Sequence, residues 1–143
     1  MFKSKQKGFT LIELLVVIAI IGLLSTLSIL ALNTARARAR DAKRVADVKQ
    51  IQTALEMYYN DAGSYPLTAS VTGGASIAYG TNTYLRYIPT PPTPLDYTTG
   101  ACAAQPNYTY ATSATGYTLM YCLGAAVNNI AAGLHTATEA GIQ

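Results

Sequence analysis

From Leu14 to Leu32 the chain runs nineteen residues without a charged side chain, interrupted in polarity only by Gly22, Ser25, Thr26 and Ser28. As an α-helix that stretch is about 28 Å long, close to the roughly 30 Å hydrocarbon core of a bilayer. It therefore reads as a transmembrane span, and anything else the chain folds into must hang from it. What precedes the span is unusual. A short basic leader with Lys3, Lys5 and Lys7 ends at Gly8, the apolar run begins at once with Phe9, and a single carboxylate, Glu13, follows. In an ordinary secretory signal the cleavage site lies after the apolar stretch, so cutting releases the protein. Here the small residue lies before it, so cutting would strip the leader and leave the apolar helix on the mature chain.

The string Gly8-Phe9-Thr10-Leu11-Ile12-Glu13-Leu14-Leu15-Val16-Val17-Ile18-Ala19-Ile20-Ile21-Gly22 resembles the class III signal of type IV pilins and pseudopilins. That resemblance implies cleavage between Gly8 and Phe9 by a prepilin peptidase and N-methylation of Phe9. It also implies that Met1–Gly8 stays in the cytoplasm, and that Glu13 forms an assembly salt bridge with the terminal amine of a neighbouring subunit's Phe9. An unpaired carboxylate in an apolar setting is costly, which gives that pairing its drive. The reading that needs no partner is an acid complementing the helix dipole in its first turn.

Past the span the periodicity changes. Val45, Val48, Ile51, Leu55 and Tyr58 recur at helical spacing on one face, with Arg40, Lys43, Asp47, Lys49 and Glu56 placed on the others. Thr34–Ala42 holds no Gly or Pro, so one helix is expected from Phe9 to about Tyr59. Asp41 with Arg44 and Lys43 with Asp47 read as modest surface pairs. The basic cluster over 36–44 reads as a solvated collar at the membrane edge, its side chains snorkelling to lipid phosphates. Direct binding of nucleic acid is not expected, because no aromatic side chain interleaves the cluster and Asp41 breaks it.

Asn60-Asp61-Ala62-Gly63-Ser64-Tyr65-Pro66 stops the helix and resembles the Tyr-x-x-Asp-x-Gly-x-Tyr-Pro stretch at the end of the long helix in major pseudopilins and many pilins. Leu67–Asn82 reads as an exposed Ser/Thr/Gly-rich loop and Tyr84–Ile88 as a short strand before the prolines at 89, 91, 92 and 94. Asn107–Thr112 and Tyr117–Leu123 alternate as a hairpin around Ser113–Gly116, with an edge strand near Leu134–Thr138. The fold class is α+β: a long N-terminal helix, half transmembrane and half amphipathic, against a small antiparallel sheet. The boundaries are a leader at 1–8, a membrane or filament-core helix at 9–33, its amphipathic half at 34–60 and a head at 61–143.

Charge is scarce in that head. Between Ala62 and Gln143 only Arg86, Asp96 and Glu139 are charged, and nine of the eleven tyrosines lie there. Such a surface either packs against copies of itself or carries neutral decoration, or it is simply a modest neutral domain. The tyrosines read as core and sheet-face residues. Removing the leader lysines leaves seven basic and seven acidic residues, so the basic balance of the precursor says nothing of an acidic partner. Cys102 and Cys122 form an even pair far from the leader, expected as a disulfide in an extracytoplasmic domain, the other reading being two buried thiols. With one histidine, no phosphate loop and no paired head carboxylates beyond Asp96 and Glu139, no enzyme activity, cofactor or metal is expected, calcium included. The Asn107-Tyr108-Thr109 sequon is a weak signal for glycosylation.

The resemblance implies a structural subunit that waits in the inner (cytoplasmic) membrane, is trimmed, and is extracted by an assembly platform and ATPase. It then joins copies of itself and other pilins in a helical surface filament serving adhesion, motility or DNA uptake. A pilus is favoured over the pseudopilus of a type II secretion system by the cysteine pair and the missing calcium carboxylates. A membrane-anchored binding domain that never polymerises is the further alternative. One departure stands out: many pilins bend this helix with a proline where this chain has Leu30, so a more continuous helix is expected.

Overall fold

The computed structural model describes residues 8–97 and 100–142; most of the leader, Met1–Lys7, lies outside them. The described chain divides into two units, one ending at Arg36 and the other beginning at Ala37. A single helix, α1, runs from Leu11 to Ala62. It passes Gly22 and Leu30 without a break, as expected from a segment with no proline before Pro66. Gly63 ends it with φ +72°, its amide donating to the Tyr59 carbonyl at 2.8 Å. Glycine takes that left-handed conformation without a Cβ penalty, the usual chemistry of a helix C-terminus.

In the first unit every described residue from Gly8 to Arg36 is exposed, so the apolar helix there has no cover of its own. Its hydroxyls turn inward. Ser25 donates to the Ile21 carbonyl (2.7 Å), Thr26 to Leu23 (2.8 Å), Ser28 to Leu24 (2.8 Å) and Thr34 to Leu30 (3.1 Å), the back-bonding that short hydroxyl side chains make within helices.

In the second unit the apolar stripe is the core. Val48, Ile51 and Leu55 are fully buried, with Val45 and Ala54 nearly so. They cluster with Leu119, Tyr121 and Leu123 of the sheet and with Val71, Ile77, Leu85 and Ile88 from the segments between helix and sheet. The main sheet has the order β3-β4-β5-β6, all antiparallel; β3 is Thr109–Thr112, β4 Tyr117–Leu123, β5 Gly133–Thr138 and β6 Gly141–Ile142. Tyr110 faces Leu119 in the β3–β4 hairpin, which Ser113 closes by donating to the Gly116 carbonyl at 2.8 Å. β4 buries Tyr117, Leu119, Tyr121 and Leu123 and turns Thr118 and Met120 outward, the alternation its sequence shows.

Three expectations need correction. The segment read as a loop to Asn82 contains a strand, β1 (Ile77–Tyr79), which pairs with β2 (Asn82–Leu85) in a separate two-stranded sheet. The strand placed at Tyr84–Ile88 is therefore β2, three residues shorter at its C-terminus. Gly80 supplies the turn with φ +59°, at the first position of a two-residue hairpin loop, where glycine is favoured. The strand expected at the sheet edge, β5, is internal, because β6 pairs beyond it through Ala137↔Ile142. Finally, α1 ends at Ala62, two residues past the boundary drawn at 60.

Candidate functional site

The first site is the start of α1. Residues 8–10 are not helical, and Gly8 and Phe9 are exposed. The bond between them thus sits in open backbone ahead of the helix. Thr10 is the N-cap. Its hydroxyl accepts from the Glu13 amide (3.3 Å) and donates to the Glu13 carboxylate (2.6 Å), which in turn accepts from the Thr10 amide (2.8 Å). That is a reciprocal capping box, with Thr at N-cap and Glu at N3 each satisfying an orphan donor of the first turn. Sequence reasoning weighed Glu13 as a dipole partner and missed the Thr-x-x-Glu spacing that announces the box. Among the described residues, Glu13 is hydrogen-bonded to Thr10 and pairs with no cation.

The second cluster lies wholly in the head unit, and it overturns the reading of the basic segment as a solvated collar. Asp41 and Arg44 are fully buried, and Asp47 is nearly so. Arg44 Nη1 donates to Asp41 and, at 3.2 Å, to Asp96; its Nη2 donates to the Pro92 carbonyl at 3.1 Å. The Tyr97 ring lies 5.1 Å from the guanidinium. Arg40 grips Asp96 with both Nε (2.8 Å) and Nη2. Asp41 accepts from two backbone amides, Gly124 (3.0 Å) and Ala125 (2.8 Å). Two cations and two anions close on one another, which is how a charge is tolerated away from water. The Arg40 hydrogen bonds, with help from Arg44, hold the Asp96 carboxyl below its usual range. Only Arg36, Arg38 and Lys43 of the basic cluster remain exposed. Of the four acids of α1 beyond the apolar stretch, Asp41 pairs with Arg44 at the expected i,i+3 spacing, but the pair is buried rather than solvated.

The remaining helix acids meet tyrosines. Tyr108 donates to Asp47 at 3.0 Å, Tyr65 to Glu56 at 3.0 Å, and Tyr84 to Asp61, which Asn82 also reaches at 3.2 Å. Burial pushes the Asp47 carboxyl up, against the lowering effect of Tyr108. Tyr110 donates to the Pro66 carbonyl at 2.9 Å and, like Tyr117 and Tyr121, is buried. Burial pushes the last two hydroxyls up to about 12. The core reading of the tyrosines thus fits most of them, while Tyr59, Tyr79 and Tyr87 stay exposed.

Cys102 and Cys122 are joined as a disulfide with Cα atoms 5.6 Å apart. Asp96, one of the two head carboxylates considered for calcium, is committed to arginines, and the other, Glu139, lies against Gly116. Among the described residues no three His, Cys, Asp or Glu side chains group as a metal site.

Residues 3–29 match the prokaryotic N-terminal methylation motif. The chain is 34% identical over 103 residues to the type II secretion system core protein G of Escherichia coli K12, covering 66% of this chain and 71% of that protein. It is 41% identical over 68 residues to the core protein G of Aeromonas hydrophila, 48% of each chain. It is 38% identical over 80 residues to the fimbrial protein EcpC of Eikenella corrodens, 56% of this chain and 52% of that one. The matches thus span from about half to seven tenths of these relatives' own lengths. No solved structure matches the chain. These relatives are filament-type structural proteins rather than enzymes, and a match over two thirds of the chain extends beyond α1 into the head. With its N-terminal motif, its long helix against antiparallel strands and this shared sequence, the chain belongs to the type IV pilin family of pilins and pseudopilins.

Proposed function

We propose that the chain is the precursor of a polymerising subunit. The observation that carries this reading is the uncovered apolar helix, in which Glu13 is the one charge between Gly8 and Ala35. α1 is long and apolar enough to cross a membrane, and a bilayer covers such a surface first. A prepilin peptidase cuts between Gly8 and Phe9, Phe9 is N-methylated, and an assembly platform with its ATPase draws the subunit out of the inner membrane. Copies of the helix, with other pilins, then cover one another. Glu13 exchanges its Thr10 contacts for the amine of a neighbour's Phe9, an ion pair whose worth rises as water is excluded.

Within that class a surface pilus is supported by the Cys102–Cys122 disulfide and by the commitment of Asp96 to Arg40 and Arg44. The secretion pseudopilus is the second reading, favoured by the core protein G relatives. The test compares wild type with Glu13→Ala in the native host, by filament recovery and by the mass of the mature N-terminus. Retained cleavage before Phe9 with filaments lost by tenfold or more, as roughly 1.4 kcal/mol or more of lost pairing predicts, supports the subunit reading. A protein never found in any filament, with its head active from the membrane, establishes the anchored binding domain instead. Surface filaments that survive chelation of calcium separate the pilus from a calcium-dependent pseudopilus.

A further inference from the structure

Two locks share one ring of this molecule. Starting at α1, Arg40 and Arg44 hold Asp96; six residues on from Asp96 stands Cys102; the disulfide crosses to Cys122; two residues later Gly124, with Ala125, returns to α1 by donating to Asp41. The two loops also touch directly at Gly124. A Cβ there would come within 2.8 Å of the Asp96 carbonyl oxygen and 2.7 Å of its Cβ, so only glycine lets the 92–97 loop and the 124–125 turn approach this closely. The turn's hold on Asp41 therefore depends on where Asp96 sits, and the disulfide fixes the distance between the chain segments bearing them.

We propose that the Cys102–Cys122 disulfide and the Arg40–Asp41–Arg44–Asp96 quartet form one redox-coupled latch. Closing the disulfide seats the 92–97 loop and the 124–125 turn on α1, and opening it loosens both. Formation runs by thiol–disulfide exchange with an external protein or small-molecule disulfide. One cysteine thiolate displaces a sulfur of that disulfide, the second cysteine resolves the mixed disulfide, and the oxidant leaves reduced and protonated, as a dithiol or as two thiols. Such oxidants are met on the extracytoplasmic side of a membrane rather than in the cytosol. The seating of these loops thus becomes a consequence of the head having crossed. The reverse step needs a dithiol reductant of the same class.

Amide hydrogen exchange on the full chain in detergent tests this, with oxidised protein against protein reduced by a trialkylphosphine. The expected result is about tenfold faster exchange in peptides covering 92–97 and 122–127, with the β4–β5 pairs Leu119↔Ala137 and Tyr121↔His135 little changed. In Asp41→Asn the same peptides should exchange fast already, and reduction should add less than about twofold, the non-additivity of a shared element. If Asp41→Asn does not fold, Arg40→Gln, on the half-buried partner of Asp96, replaces it. Protection at Gly124 and Ala125 that ignores reduction overturns the latch, as do strictly additive effects. Uniform acceleration of the whole head overturns it too, since the disulfide would then be supporting the fold at large. Filament assembly enters none of these readouts, so the latch and the polymerising role stand or fall separately.

Discussion

The residues up to Arg36 and those from Ala37 onward handle charge in opposite ways. In the first unit a lone acid, Glu13, accepts from the amide and hydroxyl of Thr10, and no described side chain covers the apolar surface around it. In the second, Asp41, Asp47, Glu56, Asp61 and Asp96 each find a partner elsewhere in the same unit, either an arginine, a backbone amide or a tyrosine hydroxyl. The head meets its buried carboxylates within one copy, whereas the described shaft leaves its apolar surface exposed. A domain so poor in charged surface residues can still bury ions, because it neutralises them internally and lets tyrosine donors serve where lysine would otherwise stand.

The contrast breaks first at Arg44. Arg44→Met leaves Asp41 and Asp96 short of their shared cation, and should cost the head about 3–5 kcal/mol, read by denaturant unfolding of the full chain in detergent. An unchanged midpoint would mean that the backbone amides and Arg40 suffice. A smaller effect comes with acid. The Asp96 carboxyl is held low, so it contributes stability present above the unfolded value near 4 and lost as pH falls through its folded value below that. Asp47, raised by burial, works with the opposite sign, since its protonation on acidification relieves a cost. Arg40→Gln should therefore flatten the acid-side fall in melting temperature between pH 5 and 2, and a fall that persists in full would point to another carboxylate. The smallest effect belongs to the shaft. Thr10→Ala removes the capping box and should cost about 1 kcal/mol of local helix stability, visible as faster amide exchange in the first turn. The head melting temperature should not move; if it does, the two regions are not independent in the way their charges suggest.

Much of this could be read from residues alone because it is written in periodicity. The 45-48-51-55 stripe and the alternation of β4 each encode which side faces the core, and both were legible. What stayed hidden is long-range or compositional. Arg44 and Asp41 at i,i+3 look like any surface pair until Asp96, more than fifty residues away, is brought to them. The signal lay in scarcity: Asp96 is one of three charges beyond Ala62, and an isolated acid in a neutral stretch needs a partner. The β1–β2 hairpin was missed because Ser, Thr and Gly dominate around it, and only Ile77 and Leu85 are buried to hold it. The capping box is legible in the Thr10-Leu11-Ile12-Glu13 spacing itself, because a Thr three residues before a Glu at the start of an apolar run places both for reciprocal capping.

The hydroxyls of Ser25, Thr26, Ser28 and Thr34 already point back to carbonyls one turn earlier. A helix that keeps these bonds presents the same apolar exterior to lipid tails as to another protein. Passing from one surrounding to the other then requires none of these four groups to find a new acceptor. On the proposed reading, the polar cost of that transfer would concentrate on Glu13, the one charged side chain between Gly8 and Ala35.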